Sequence, residues 1–360
     1  MSLPTKMRAM VTMGHGEIDQ MVWHDEWLRP DPAKGEVLIR VGACGLNNTD
    51  VNTRSGWYSK AVTGATTGGA LNEVSEDDAT WGGATIRFPR IQGADVCGEI
   101  VAVGERVDPA RIGERVITDN WLRDPSDPGD ANKTSYFGSE RDGGFAEYTT
   151  IPETNALAIQ ARLSDAELAT FSCSYSTAEG MLERASVGAA DSVLVPGASG
   201  GVGGALEQLA KRRGARVIAM ASEAKHPDVK ALGADRVLAR APADLSKSLE
   251  DEQVSVVADV VGGSLWPDLI GLLERGGRYT CSGAIAGPMV SLDLRTLYLR
   301  DLSFFGSTVI APEIMRNLVR YIEAGEVKPV LAATYPLTEL HAAQAAFIAK
   351  KHTGNIVVCP

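Results

Sequence analysis

Between residues 196 and 204 the chain reads Pro196-Gly-Ala-Ser-Gly-Gly-Val-Gly-Gly204. The run follows an apolar segment, Ser192-Val-Leu-Val-Pro196, and precedes a helix-forming stretch, Ala205 to Arg213. Glycines at this density permit a tight turn with positive φ and leave the backbone bare. A pyrophosphate can then reach a helix N-terminus, where free N–H groups and the helix dipole favour an anion. The first position of the G-x-G-x-x-G pattern is Ala198, and a second strand from Arg216 completes the context that such a pattern needs. Ala198, Ser199, Gly200, Gly201, Val202 and Gly203 are therefore expected to bind a dinucleotide.

The end of that second strand bears on which dinucleotide. Sites for NAD usually place Asp or Glu there to hold the ribose hydroxyls. Here Arg216-Val-Ile-Ala-Met220 runs into Ala221-Ser222-Glu223-Ala-Lys225. An alanine at 221 does not repel a 2′-phosphate, while Ser222, Lys225 and Arg240 can offer a hydrogen bond and positive charge. The expected cofactor is NADP(H). Metal chemistry has less to stand on. The five cysteines, Cys44, Cys97, Cys173, Cys281 and Cys359, contain no C-x-x-C pair, and the five histidines show no H-x-x-x-H spacing. Reduced thiols in a reducing compartment are the expectation.

These residues need a scaffold, and three stretches of the chain supply it. Up to about Pro152 short apolar runs are punctuated by Gly and Pro, among them Glu36-Val-Leu-Ile-Arg-Val41, Val96 to Val103 and Glu114 to Ile117, a pattern suited to a small barrel. Two long polar segments, 58–90 and 118–142, interrupt it and suggest a lid or an interface. From Ser164-Asp-Ala-Glu167, a capping box expected to open a helix through the alanine-rich stretch that follows, apolar strands alternate with helices. Later strands are read at Val254–Val260, Gly277–Cys281 and Leu302–Phe305. Buried strands separated by helices predict parallel β-α-β units in a doubly wound sheet. After Ile310 the pattern returns to the first stretch, closing on Asn355–Val358.

At 360 residues, 44% hydrophobic and 22% charged, the chain has material for two domains. A net charge of −11 disfavours the polyanions, nucleic acid and anionic membrane. No run approaches the roughly 20 apolar residues of a membrane span, and the N-terminus lacks an apolar signal core, so a cytoplasmic protein is expected.

Several motifs in order carry a resemblance. They are Gly93-Ala-Asp-Val-Cys-Gly-Glu-Ile-Val-Ala-Val-Gly104, Gly113-Glu-Arg-Val116, Gly143-Gly-Phe-Ala-Glu-Tyr148, Ala198 to Gly203, Asp259-Val-Val-Gly-Gly263 and Gly354-Asn-Ile-Val-Val358. With them the chain resembles the medium-chain dehydrogenase/reductase superfamily over essentially its whole length. The resemblance implies an α/β protein: a Rossmann domain with a doubly wound parallel sheet, residues 154–310, inserted in a GroES-like β-barrel domain, residues 1–153 and 311–360.

It also bears on metal. Zinc alcohol dehydrogenases of the superfamily carry A-C-G-V-C-x-T-D, whereas this chain reads Ala43-Cys-Gly-Leu-Asn-Asn-Thr-Asp50, with Asn47 at the ligand position. Their G-H-E motif is Gly93-Ala94-Asp95 here, and only Cys173 matches a ligand. One ligand does not hold zinc, although a rearranged site using Cys44, Asp95 and Cys173 is a second reading. The pattern looks like the zinc-free quinone oxidoreductase branch.

In that branch Asn47, Asp50 and Tyr58 would line the substrate pocket, with Asn47 and Tyr58 as donors, Asp50 orienting neighbours and Thr49 beside them. A second tyrosine of the branch falls on Asn52. Thr177, Gly262, Gly283 and Ser307 would face the nicotinamide. The implied reaction is NADPH-dependent hydride transfer to a quinone, enone or related conjugated carbonyl by a homodimer paired through Leu302–Gly306. The alternatives are an alcohol dehydrogenase with a non-standard zinc site and a non-catalytic NADPH-binding protein.

Overall fold

A computed structural model describes residues 3–71, 74 and 86–360. Six strands form one all-parallel sheet in the spatial order Arg236–Ala239, Arg216–Ala221, Ser192–Pro196, Val254–Asp259, Leu273–Cys281 and Ser303–Gly306. In chain order this is 3-2-1-4-5-6, the doubly wound topology whose crevice opens at the carboxyl ends of the first and fourth strands. The central strands are apolar on both faces: Val193, Leu194, Val195, Val256, Val257 and Ala258 are all fully buried. That is what helices covering each face require.

The remaining strands build a second, mainly antiparallel sheet around Glu36–Gly45, which pairs with Asp95–Val103, Tyr148–Pro152 and Asn355–Cys359. Two strands from the end of the chain, Leu331–Pro336 and Asn355–Cys359, pair in parallel and join this sheet. A hairpin of Lys6–Thr12 and Met21–Leu28 stands beside it.

Three local expectations change. The Ser164–Glu167 capping box is present, but its helix spans only Asp165–Leu168, and a separate helix runs Ser172–Arg184. The chain is redirected at Ala169, whose carbonyl packs so close to Gly45 that a Cβ there would lie 2.3 Å away. The helix after the glycine turn begins at Gly201, four residues before the first alanine. The polar segment 118–142 is partly ordered into a short hairpin, Trp121–Leu122 with Ser135–Tyr136, packed ring against ring. Part of the other polar segment, residues 72–73 and 75–85, lies outside the described residues.

Candidate active site

The glycine turn is shaped by close approach. Gly197 has φ +69°, and a Cβ on Gly203 would stand 2.4 Å from the Gly197 carbonyl oxygen. A Cβ on Gly201 would stand 2.2 Å from Asn355 Oδ1 and 2.5 Å from Ser174 Oγ. These glycines let the helix Gly201–Arg212 sit hard against its strand, the Ser172–Arg184 helix and the last strand. Gly200 differs: a Cβ there meets only the Gly197 oxygen, at 3.5 Å. The space in front of it is where a pyrophosphate would approach the helix N-terminus. Ala198 is buried, donating its N–H to Met220 O, and Val202 is partly buried against the core.

Ser222 caps a short turn over Glu223–Lys225, and both Ser222 and Glu223 are exposed. Lys225 folds back across the crevice: Nζ lies 3.5 Å from Ser199 Oγ and donates to the carbonyls of Lys350, at 2.9 Å, and His352. Burial and the nearby Arg240 guanidinium lower its basicity. Gly262, Gly283 and Ser307 follow the strands ending at Asp259, Cys281 and Gly306, so they line the carboxyl edge of the sheet. The loop at Gly262 is pinned by Asp259, which accepts the N–H groups of Val261 and Gly262 and the Tyr279 hydroxyl. Ser307 Oγ is buried without a hydrogen-bond partner among the described residues. Bare glycine backbone, an unused hydroxyl and a set of cations fit a nicotinamide dinucleotide.

The substrate side is built on the helix Asn48–Ser55. Asn47 is its N-cap, and Asp50 returns the favour by accepting the Asn47 backbone N–H at 2.7 Å. This is a capping box, so Asp50 orients the helix start. Asn47 is committed elsewhere than expected: its side-chain amide donates to Asp95 Oδ2. Asp95, weighed in the sequence only as a metal ligand, is the hub. Its other oxygen accepts Asn120 Nδ2 at 2.9 Å and the Cys173 backbone N–H at 2.8 Å. Burial outweighs these hydrogen bonds and raises both Asp95 and Asp50 to about 7. The Asn120 amide lies 3.3 Å from the Tyr136 hydroxyl.

Thr49 and Tyr58 stand on the same side. Thr49 Oγ1 is buried without a hydrogen-bond partner among the described residues. Tyr58 hydrogen-bonds the Asn52 side chain, and burial pushes its phenol up, keeping it protonated. Asn52, which takes the position of the second tyrosine, thus supports the first. Thr177 lies one helical turn after Cys173 and hydrogen-bonds its thiol, which burial keeps neutral.

Zinc does not fit this arrangement. An amide N–H points at Asp95 where a metal would need a lone pair. Among the described residues no group of three or more His, Cys, Asp or Glu side chains is placed to hold a metal ion. Cys44, Asp95 and Cys173, the rearranged set, do not make such a group there. Also among the described residues, no helix is long and apolar enough to cross a membrane.

Residues 33–161 match the family model of the alcohol dehydrogenase GroES-like domain, and residues 232–358 that of the zinc-binding dehydrogenases. The chain is similar to a candidate alcohol dehydrogenase of Sinorhizobium meliloti 1021, at 45% identity and a TM-score of 0.91, covering 99% of this chain and 98% of the other. It is 27% identical to an acryloyl-coenzyme A reductase of Metallosphaera sedula, over 98% of this chain and 99% of the relative. It is also 27% identical to an NADPH-dependent alkenal/one oxidoreductase of Arabidopsis thaliana, over 100% and 81%.

Proposed function

The chain belongs to the medium-chain dehydrogenase/reductase superfamily, whose enzymes are oxidoreductases that use a nicotinamide cofactor, and we propose that it is an NADPH-dependent, zinc-independent reductase of conjugated carbonyls. The observation that carries this reading is the Asn47 amide bonded to Asp95 at the position of a zinc ligand. Without a Lewis acid, the substrate oxygen must be polarised by protein hydrogen bonds. A conjugated acceptor suits that, because hydride can add at carbon while the developing charge spreads to an oxygen held by neutral donors. The names of the relatives agree with it: one reduces acryloyl-coenzyme A, another alkenals and alkenones.

The roles follow from position. Backbone N–H groups at Gly200–Gly203 receive the pyrophosphate, and Ser222, Lys225 and Arg240 receive the 2′-phosphate. When bound, the reduced nicotinamide supplies the hydride. Thr49 Oγ1 and the Tyr58 phenol orient the acceptor oxygen, while the Asp95 hub holds Asn47, Asn120 and the start of the Ser172 helix around the pocket. Asp95 replaces a metal as the group that organises these elements.

Turnover of NADPH with enones, quinones and simple aldehydes, before and after exhaustive chelation, tests the reading. The expected outcome is activity on conjugated acceptors that survives chelation. Near-stoichiometric zinc lost in parallel with activity would overturn it in favour of the zinc alcohol dehydrogenase. Tight NADPH binding with no turnover across the panel would leave a nucleotide-binding protein without catalysis.

A further inference from the structure

Positive charge gathers beside the glycine turn with little to balance it. Lys225 Nζ donates to the carbonyl of Lys350 at 2.9 Å, and the Lys350 ammonium stands 3.4 Å from the Phe347 ring centroid. Arg240 faces Lys225, and burial, then the nearby Lys350 and Lys225, acidify His352. The carboxylate in reach is Asp228, which draws on Lys225 and itself accepts Thr353 Oγ1 at 2.8 Å. Among the described residues neither lysine forms a salt bridge. Burial, and then Lys225, bring the Lys350 ammonium down to about 7. Part-buried cations crowded together are costly, and a phosphate between them would offset that cost by attracting each of them.

Lys350 also reaches the other side of the crevice. Its Nζ donates to Asn48 Oδ1 at 3.0 Å, and Asn48 is the first residue of the helix that carries Thr49 and is capped by Asn47. Lys350 itself has φ +51°, just past the helix Leu340–Ile348, so its side chain is turned back over Phe347 by the backbone.

We propose that Lys350 is a positioning residue linking the cofactor's phosphate to the substrate-side helix. A phosphate dianion on Lys225 and Lys350 keeps the Lys350 ammonium charged and bonded to Asn48, and so fixes the first turn of Asn48–Ser55 with Thr49 and Asn47 in place. The proposal rests on the NADP(H) reading of the strand end at Ala221. It makes cofactor binding and pocket order one event, carried by a charge-assisted hydrogen bond.

Hydrogen exchange of the intact chain with adenosine 2′,5′-bisphosphate, which has the phosphates but no nicotinamide, tests it without turnover. In the wild type the ligand should slow amide exchange at residues 50–53 about tenfold. Asn48→Ala should bind the bisphosphate within about twofold of wild type yet lose that slowing. Asn48→Asp, which gives Lys350 a permanent partner, should show slow exchange with or without ligand. Bisphosphate binding that leaves wild-type exchange unchanged, or slowing that persists in Asn48→Ala, would overturn the linkage and leave the NADP(H) reading intact. No bisphosphate binding alongside turnover with NADH would remove the NADP(H) reading, and the phosphate with it.

Discussion

Glu207 sits in the middle of the helix Gly201–Arg212 with no exposed surface, and among the described residues neither of its carboxylate oxygens has a hydrogen-bond partner. Burial alone raises it to about 9 from an ordinary 4.5. In the folded protein it is therefore a neutral acid at pH 7.5, whereas in the unfolded chain it is ionised. The folded state binds the extra proton, so stability falls as pH rises from about 4.5 and stops falling only near 9. Each unit costs about 1.4 kcal/mol, which gives about 4 kcal/mol at pH 7.5. Glu207→Met keeps the length and the helix preference and removes the titrating group. It should stabilise the protein by about 4 kcal/mol at pH 7.5 but by under about 1 kcal/mol near pH 5. Glu207→Gln should also flatten the pH dependence but gain less, because an unpartnered amide stays buried. Denaturant unfolding at the two pH values, followed through tryptophan fluorescence, measures this. A Met variant no more stable than wild type at pH 7.5, or a gain independent of pH, would refute the reasoning.

NADPH should bind at least about tenfold tighter than NADH, from one charge-assisted contact of about 1.5–3 kcal/mol. Ala221→Asp should narrow or reverse that preference, and Lys225→Ala should weaken NADPH while sparing NADH; fluorescence titration decides, and a wild type that prefers NADH counts against the reading. Gly200→Val should abolish NADPH binding yet fold normally, since a Cβ at that site meets nothing closer than 3.5 Å. Gly203→Val, by contrast, should unfold the turn because its Cβ would lie 2.4 Å from a backbone oxygen, and thermal melts separate the two. A homodimer is expected from the outer strand Ser303–Gly306 together with the exposed apolar residues Met289, Leu294, Tyr298 and Leu299 beside it, and light scattering at micromolar concentration should give twice the chain mass.

The parts of this molecule that could be read from sequence are those whose physics is local. Strands buried on both faces announce themselves as short apolar runs, and the turn at Gly197–Gly204 announces itself because few other sequences tolerate its backbone. Even there the helix start was legible only to within a turn: Gly201–Gly204 are poor helix formers, and they are helical because their neighbours leave no room for a side chain. The substrate side is different in kind. Asn47, Asp95, Asn120 and Cys173 are separated by 48, 25 and 53 positions, and no spacing rule says that they converge on one carboxylate. The sequence could show that zinc ligands are missing; only the fold shows that Asp95 takes over the organising role. Lys350 makes the same point from the other end of the chain. Its place in Lys350-Lys351-His352 reads as charge at a helix C-terminus, where cations are ordinary. Its left-handed backbone turns it inward instead, onto Phe347 and Asn48. A cation that gives up solvent for an aromatic face and a neutral amide needs a reason, and the 2′-phosphate proposed to bind at Lys225 is an anion that would supply one.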